Sequence, residues 1–257
     1  MGITIKNRDE LALMREAGKI VVETLELLRS IIRPGITTAQ LDQATEEAIR
    51  ARGAIPSFLG FHGFPASLCA SVNNELVHGI PGPRVLQEGD LIKIDTGARY
   101  QGYHGDACIS VPVGKVSSQV ERLMTTCEQA LWKGIEQARA GNHLGDIGAA
   151  IQRFVEGHGY AIVRNCTGHG IGRDLHEEPF VLHYGEPGKG LQLKPGMVIT
   201  IEPIVNIGAP GTRTLADGWT MVTADGSLSA QFEHTLAITS QDPDILTPWK
   251  STLSMQR

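Results

Sequence analysis

The chain has 257 residues, 41% of them hydrophobic, enough to bury a large core in one domain or two fused halves. A net charge of -5, with no stripe of Lys or Arg, argues against a basic nucleic-acid footprint and direct DNA binding, with a local contact to RNA left open. No apolar run approaches the roughly 18 residues of a membrane span. Four dispersed cysteines (Cys69, Cys108, Cys127, Cys166) without a C-x-x-C pair read as reduced thiols in a cytoplasmic protein.

The N-terminal stretch MGITIKNRDE has no basic region leading into an apolar one, and Lys6 stands where a myristoylation signal needs Ser or Thr. Over residues 7–33 apolar side chains recur at helical spacing (Leu11, Met14, Ala17, Val21, Leu25, Leu28, Ile32). Asn7 and Glu10 form a capping pair at the start, and Pro34-Gly35 ends the run. A second helix is predicted over 38–52, stopped by Gly53. A Gly- and Pro-rich region follows, with a short strand near 67–72, and then two strands at 91–97 and 103–113. The order then returns. Ser118-x-x-Glu121 is predicted to cap a helix reaching about residue 140, a further helix covers 145–157, and strands fall at 160–165, 197–205 and 232–239.

The residues themselves repeat. RPGITTAQLDQATEEAIRARG (33–53) aligns without gaps on RAGNHLGDIGAAIQRFVEGHG (139–159). LQEGDLIKID (86–95) falls on LKPGMVITIE (193–202), which sets Gly89 on Gly196 and Asp95 on Glu202. Laying the following strands on one another sets Asp106 on Glu233. The common order predicts a single domain over 1–257 built by duplication, with halves at roughly 7–113 and 118–240.

Asp95 ends the apolar run 91–94, where an unpaired charge is costly. Asp95 and Asp106 flank the turn at Tyr100-Gln101-Gly102, so a hairpin puts them opposite or nearly so, unless Gly102 adds a bulge. Glu202 repeats the arrangement at the end of a run that reads as a central strand. Four carboxylates in one small volume repel one another unless a cation sits among them. Oxygen ligands with one imidazole favour Mn, Fe, Co or Zn. His169, flanked by glycines in NCTGHGIGRDLHEEP, is the candidate imidazole. Two divalent ions roughly 3.5–4 Å apart would balance four carboxylates and could hold a nucleophilic hydroxide. Taken singly, each residue has a plainer reading: Asp95 as a turn residue, His78, His169 and His176 as satisfied loop histidines, Glu233 with His234 as a surface pair.

The stretches SVNNELVHGIPG, IDTGARYQGYHGD, TGHGIGRDLHEEP, ITIEPIV and DGWTMVTADGSLSAQFEHT, in this order over about residues 4–240, closely resemble the type I methionine aminopeptidases. The resemblance implies an α+β pita-bread fold, two pseudo-symmetric halves with a curved, mainly antiparallel sheet covered by helices. It implies two divalent ions (Co, Mn, Fe or Zn) held by Asp95, Asp106, His169, Glu202 and Glu233, with Asp106 and Glu233 as bridges. Glu202 would also take a proton from the attacking water, while His78 and His176 contact the scissile peptide and its oxyanion. The implied activity is removal of initiator methionine from nascent proteins when the second residue is small, by attack of a metal-bridging hydroxide on the scissile carbonyl.

Phe58, Phe61, Phe64, Cys69 and Trp219 fall where that family lines its methionine pocket, apolar surroundings that suit a thioether, and each reads equally as core. Three departures touch pocket shape: Phe61 and Phe64 where Tyr is frequent, Ala107-Cys108 where Thr often follows the Asp, and Leu175 in a commonly aromatic place. The expected partners are nascent N-termini, with ribosome docking left open, and the expected state is a monomer without a zinc-binding N-terminal extension. Proline-specific relatives of the same architecture are disfavoured because the motifs begin too early for their N-terminal domain. A metal-free binding descendant is disfavoured because all five candidate ligands are present, and an oxygenase because four carboxylates are too many.

Overall fold

In the computed structural model the described residues are 2–251, so Met1 and 252–257 of the expected domain lie outside them. Asn7 opens the first helix, α1 (Arg8–Ile31): its side chain accepts from the N–H groups of Asp9 and Glu10, and the Glu10 carboxylate accepts from Asn7 N–H at 2.9 Å. The buried stripe Met14, Ala17, Val21, Leu25, Leu28 faces the sheets. The second helix, α2 (Thr38–Ala51), is capped by Thr37 with Gln40. In α3 (Ser118–Ile135) the cap is Ser117, whose hydroxyl accepts from Val120 N–H, and not the predicted Ser118. That helix also ends before the predicted residue 140, where Gln137 and Ala138 turn back to the carbonyls of Gly134 and Ile135. The last helix, α4 (Leu144–Gly157), begins with His143 and Asp146.

The first half supplies β1 (Ile55–Pro56), β2 (Cys69–Val72), β3 (Glu75–Val77), β4 (Leu91–Tyr100) and β5 (Tyr103–Pro112). The second supplies β6 (Ala161–Ile162), β7 (Gly168–Gly170), β8 (Glu177–Val181), β9 (Val198–Ile201) and β10 (Ile204–Asn206). After these come β11 (Thr212–Thr214), β12 (Met221–Thr223), β13 (Ser229–Gln231), β14 (His234–Ala237) and β15 (Asp244–Ile245). Every pairing among the described residues is antiparallel. One sheet runs β1-β4-β2 with β5 on β4, and another runs β15-β14-β9-β7-β8; two three-stranded sheets, β13-β10-β6 and β11-β12-β3, complete the set. With helices packed on these sheets, the α+β class is as expected.

The predicted strand 197–205 divides at Glu202-Pro203, where proline has no N–H to give a ladder, into β9 and β10 in different sheets. The predicted strand 232–239 is β14 alone, with Glu233 in the gap after β13, and the one predicted over 160–165 shrinks to β6.

Matched backbone features recur in the two aligned segments. Gly35 and Gly141 take φ of 93° and 94°, and Gly89 and Gly196 take 91° and 87°, left-handed turns that favour glycine. The bond from Gly35 N–H to Leu86 recurs from Gly141 N–H to Leu193, at 2.8 and 3.0 Å. At the seam, β5 runs beside residues 231–235. Thr235 and Asp106 exchange bonds there, Ser110 and Gln231 do the same, and Glu233 N–H donates to Cys108 at 2.9 Å between them.

This pattern corrects one predicted correspondence. Cys108 lies opposite Asp95, and continuing the β9–β14 ladder by one step places Glu233 opposite Glu202. Glu233 is therefore the counterpart of Cys108, and Asp106 that of Gln231. No helix among the described residues is long and apolar enough to cross a membrane.

Candidate metal centre

The β4–β5 hairpin closes in two residues, Gln101 and Gly102, both at positive φ, the geometry of a type I′ turn. No bulge forms, and Asp106 pairs with Gly97, so the two aspartates are diagonal neighbours on one face and not directly opposite. Gly105 allows the approach of α1: a Cβ there would lie 2.7 Å from the backbone nitrogen of Gly18. Asp106 is thus driven under the helix into the interior, at 4% exposure.

Glu202 arrives from the end of β9 and Glu233 from the gap before β14, both at points where strand pairing stops and a carboxylate can turn inward. His169 sits in the middle of β7, beside β9. Its Nδ1–H donates to the Gly170 carbonyl at 2.8 Å, which leaves Nε2 with a free lone pair. That nitrogen lies 3.6 Å from Glu202 Oε1 and 4.0 Å from Asp106 Oδ2. Ligand atoms of Asp106, His169 and Glu233 all fall within 4.8 Å of one another. The structure therefore brings Asp95, Asp106, His169, Glu202 and Glu233 to one cavity.

Electrostatically the cluster is incomplete as protein alone. Burial, with Asp106 and Glu202 close by, pushes the Asp95 carboxyl far above the carboxylate range, and Glu233 behaves likewise. Burial raises Asp106 to about 7 and Glu202 to about 8, the latter against the opposing pull of a Thr200 hydrogen bond. His169 is lowered to about 3, by burial and then by His176. Buried oxygens of Asp95, Asp106 and Glu233 have no hydrogen-bond partner, a costly state for acids in an interior. Carboxylates with unpartnered oxygens, gathered in one cavity with a lone-pair nitrogen, form the donor set of a hard to borderline divalent cation. The residues fit a metal.

The cavity, about 330 Å3, is lined by Phe58, Phe61, Phe64, Cys69 and Trp219 as well as by His78 and His176. His78 is held at φ 57°, left-handed for a residue with a side chain, which aims its ring into the cavity beside Trp219. His176 meets His169 edge-on at 4.2 Å between ring centres, with Phe61 on another side at 5.0 Å. Burial keeps both histidines neutral: His78 is lowered, and His176 falls to about 4 with His78 and His62 adding to the effect.

Sequence reasoning missed the supports. Thr200 accepts from His169 N–H and donates to Glu202 Oε1 at 2.8 Å. His183 accepts from Glu202 N–H, and Gln231 Nε2 reaches Glu202 Oε2 at 3.4 Å. A hydroxyl two residues before an acid in a buried strand was a usable signal for Thr200, whereas His183 became visible only through the fold. Cys166, Thr167 and Met221 also line the cavity unforeseen.

Buried acids and one imidazole where antiparallel strands meet, open to an apolar cavity, mark a metal-dependent enzyme. The chain belongs to metallopeptidase family M24, whose model matches residues 12–240. It is similar to methionine aminopeptidase 1 of Bacillus subtilis, at 53% identity over 245 residues, covering 95% of this chain and 99% of that one. The crystal structure of methionine aminopeptidase from Rickettsia prowazekii superposes with a TM-score of 0.95 at 43% identity, covering 96% and 100%. The prolidase of Pyrococcus horikoshii, at 24% identity and a TM-score of 0.80 over 97% of this chain and 65% of that one, shares the fold alone.

Proposed function

We infer that this chain is a metal-dependent methionine aminopeptidase that removes the N-terminal methionine of nascent proteins when the second residue is small. The observation that carries the reading is the set of buried carboxylates, three of them with an unpartnered oxygen, gathered with His169 in the wall of one apolar cavity. Similarity to proteins named methionine aminopeptidase over nearly the whole chain supports the substrate. Asp95, Asp106, His169, Glu202 and Glu233 would hold the metal. Two divalent ions would match the four negative charges, and the same residues would hold them. When bound, such ions activate water at neutral pH and withdraw charge from a carbonyl.

The protein's own groups do the rest. Glu202, positioned by Thr200 and His183, accepts the proton released as water attacks. His78 and His176, kept neutral by burial, present N–H donors to the scissile amide and to the oxygen that gains charge. Phe58, Phe61, Phe64, Cys69 and Trp219 surround the methionine side chain with polarizable apolar surface. Bulk at the second residue is excluded by the walls and not recognised. The same proposal has the chain working as a monomeric domain in the cytoplasm.

Protein stripped with a chelator should fail to release Met from Met-Gly-Met-Met and regain the activity with Mn2+ or Co2+, while a panel varying the second residue should lose turnover as that residue grows. Undiminished release by stripped protein would remove the proposal.

A further inference from the structure

Lys93 is one of the largest fully buried side chains among the described residues, at 1% exposure, and the proposed chemistry gives it no task. It lies on β4 two residues before Asp95, on the same face of the strand. In the other half Thr200 holds the matching place and bonds its own acid, Glu202. Lys93 does otherwise. Its Nζ donates to the Asn73 carbonyl at 2.8 Å and to the Ser229 carbonyl at 3.0 Å. Among the described residues no carboxylate forms an ion pair with it, and nearby Glu75 is taken by Arg84 at 2.8 Å.

The two carbonyls belong to opposite halves. Asn73, at φ 57° between β2 and β3, is tied by its side chain to Asp90 and to Leu91 N–H at the start of β4. Ser229 opens β13, which carries Gln231 and leads into Glu233, and its N–H donates to the same Asn73 carbonyl at 3.2 Å. Methionine would fill the volume without the desolvation cost of an ammonium. What it would lack is a single donor group that reaches both carbonyls. Carbonyl dipoles in place of water are the surroundings of a dehydrated monovalent cation.

We propose that the Lys93 ammonium is a built-in monovalent cation that clamps the two halves together behind the acids and, as a positioning residue, sets the spacing of Asp95 and Glu233. The inference rests on the metal-site reading above. Its test uses chelator-stripped full-length wild type, Lys93→Ala and Lys93→Met, titrated calorimetrically with Mn2+ in choline, potassium or ammonium chloride at equal ionic strength. Wild type should bind equally in all three salts. Lys93→Ala should bind about tenfold or more weakly in choline and recover most of the loss in potassium or ammonium, which fit the vacated space. Lys93→Met, which fills that space, should be weak in every salt. Unchanged Mn2+ affinity in either variant, or a loss in Lys93→Ala that no small cation relieves, overturns the clamp. If Lys93→Ala does not fold, the volume-matched Lys93→Met decides alone by the first criterion. Failure of wild type itself to bind Mn2+ would count against the metal site and not the clamp.

Discussion

In the proposed reading Glu202 has two tasks, holding metal and accepting a proton, and one substitution tests them together. Glu202→Gln keeps the shape and the bond with Thr200 but removes both a metal charge and a proton acceptor. Turnover should fall by about a hundredfold or more with KM for a Met peptide little changed, as for an interaction made in the transition state. A KM effect alone would assign Glu202 to binding.

The acids also dictate a pH dependence. Asp106 and Glu202 have ordinary values of 3.8 and 4.5 but stand at about 7 and 8 in the folded, metal-free protein. Over this range the native state holds protons that the unfolded chain has lost, so the cluster's contribution to stability falls as pH rises through 8. His169, His183 and His234, lowered to about 3 by burial, act oppositely and lose their contribution as pH falls below 6.5. Between pH 6.5 and 8.5 the acids dominate. The Tm gained on adding saturating Mn2+ should therefore be larger at pH 8.5 than at 6.5, and a scanning calorimeter showing the reverse would contradict the raised values. At this scale the acids and His169 were legible because charge at the end of an apolar run demands a partner, whereas the oxygens left unpartnered are a property of the packed interior.

At the level of single elements, the cap of α3 discriminates between reading and structure. Ser117→Ala should cost about 1 kcal/mol in denaturant unfolding and Ser118→Ala much less, because only Ser117 accepts from Val120 N–H. Equal losses would restore the predicted cap. Both serines precede the same apolar periodicity and Glu121, so the motif alone could not choose between them. The hairpin is the more consequential element. Gly105→Ala places a methyl 2.7 Å from the α1 backbone at Gly18 and should destabilise by about 1–3 kcal/mol, while Gly102→Ala in the turn meets nothing and pays only for its positive φ. Comparable unfolding midpoints for wild type and Gly105→Ala would show that α1 yields. The diagonal register of Asp95 and Asp106 could not be read from the sequence, since Gly102 was compatible with either a tight turn or a bulge.

Across the whole molecule, the recurrence of glycines at left-handed turns was the most legible feature, because such positions return at matched places in the two aligned segments and leave a trace in sequence. The pairing of counterparts was not. Strand lengths differ between the halves, and aligning acids by type put Asp106 on Glu233, while the hydrogen bonds at the seam put Cys108 there. The site is accordingly asymmetric: in the first half Asp106 adds an acid where the second half has Gln231, and in the second half Glu233 adds one where the first has a thiol. Both additions point into the same seam, and their charges meet only because the halves are packed against each other.

Metal uptake measured together with proton release tests this most directly. Stripped protein titrated with Mn2+ near pH 7, in buffers of different ionisation enthalpy, should bind the ion and expel protons from the acid cluster, with Met release from peptides appearing in step with occupancy. Absence of Mn2+ uptake, uptake without proton release, or full peptide cleavage before any metal is added would contradict the account.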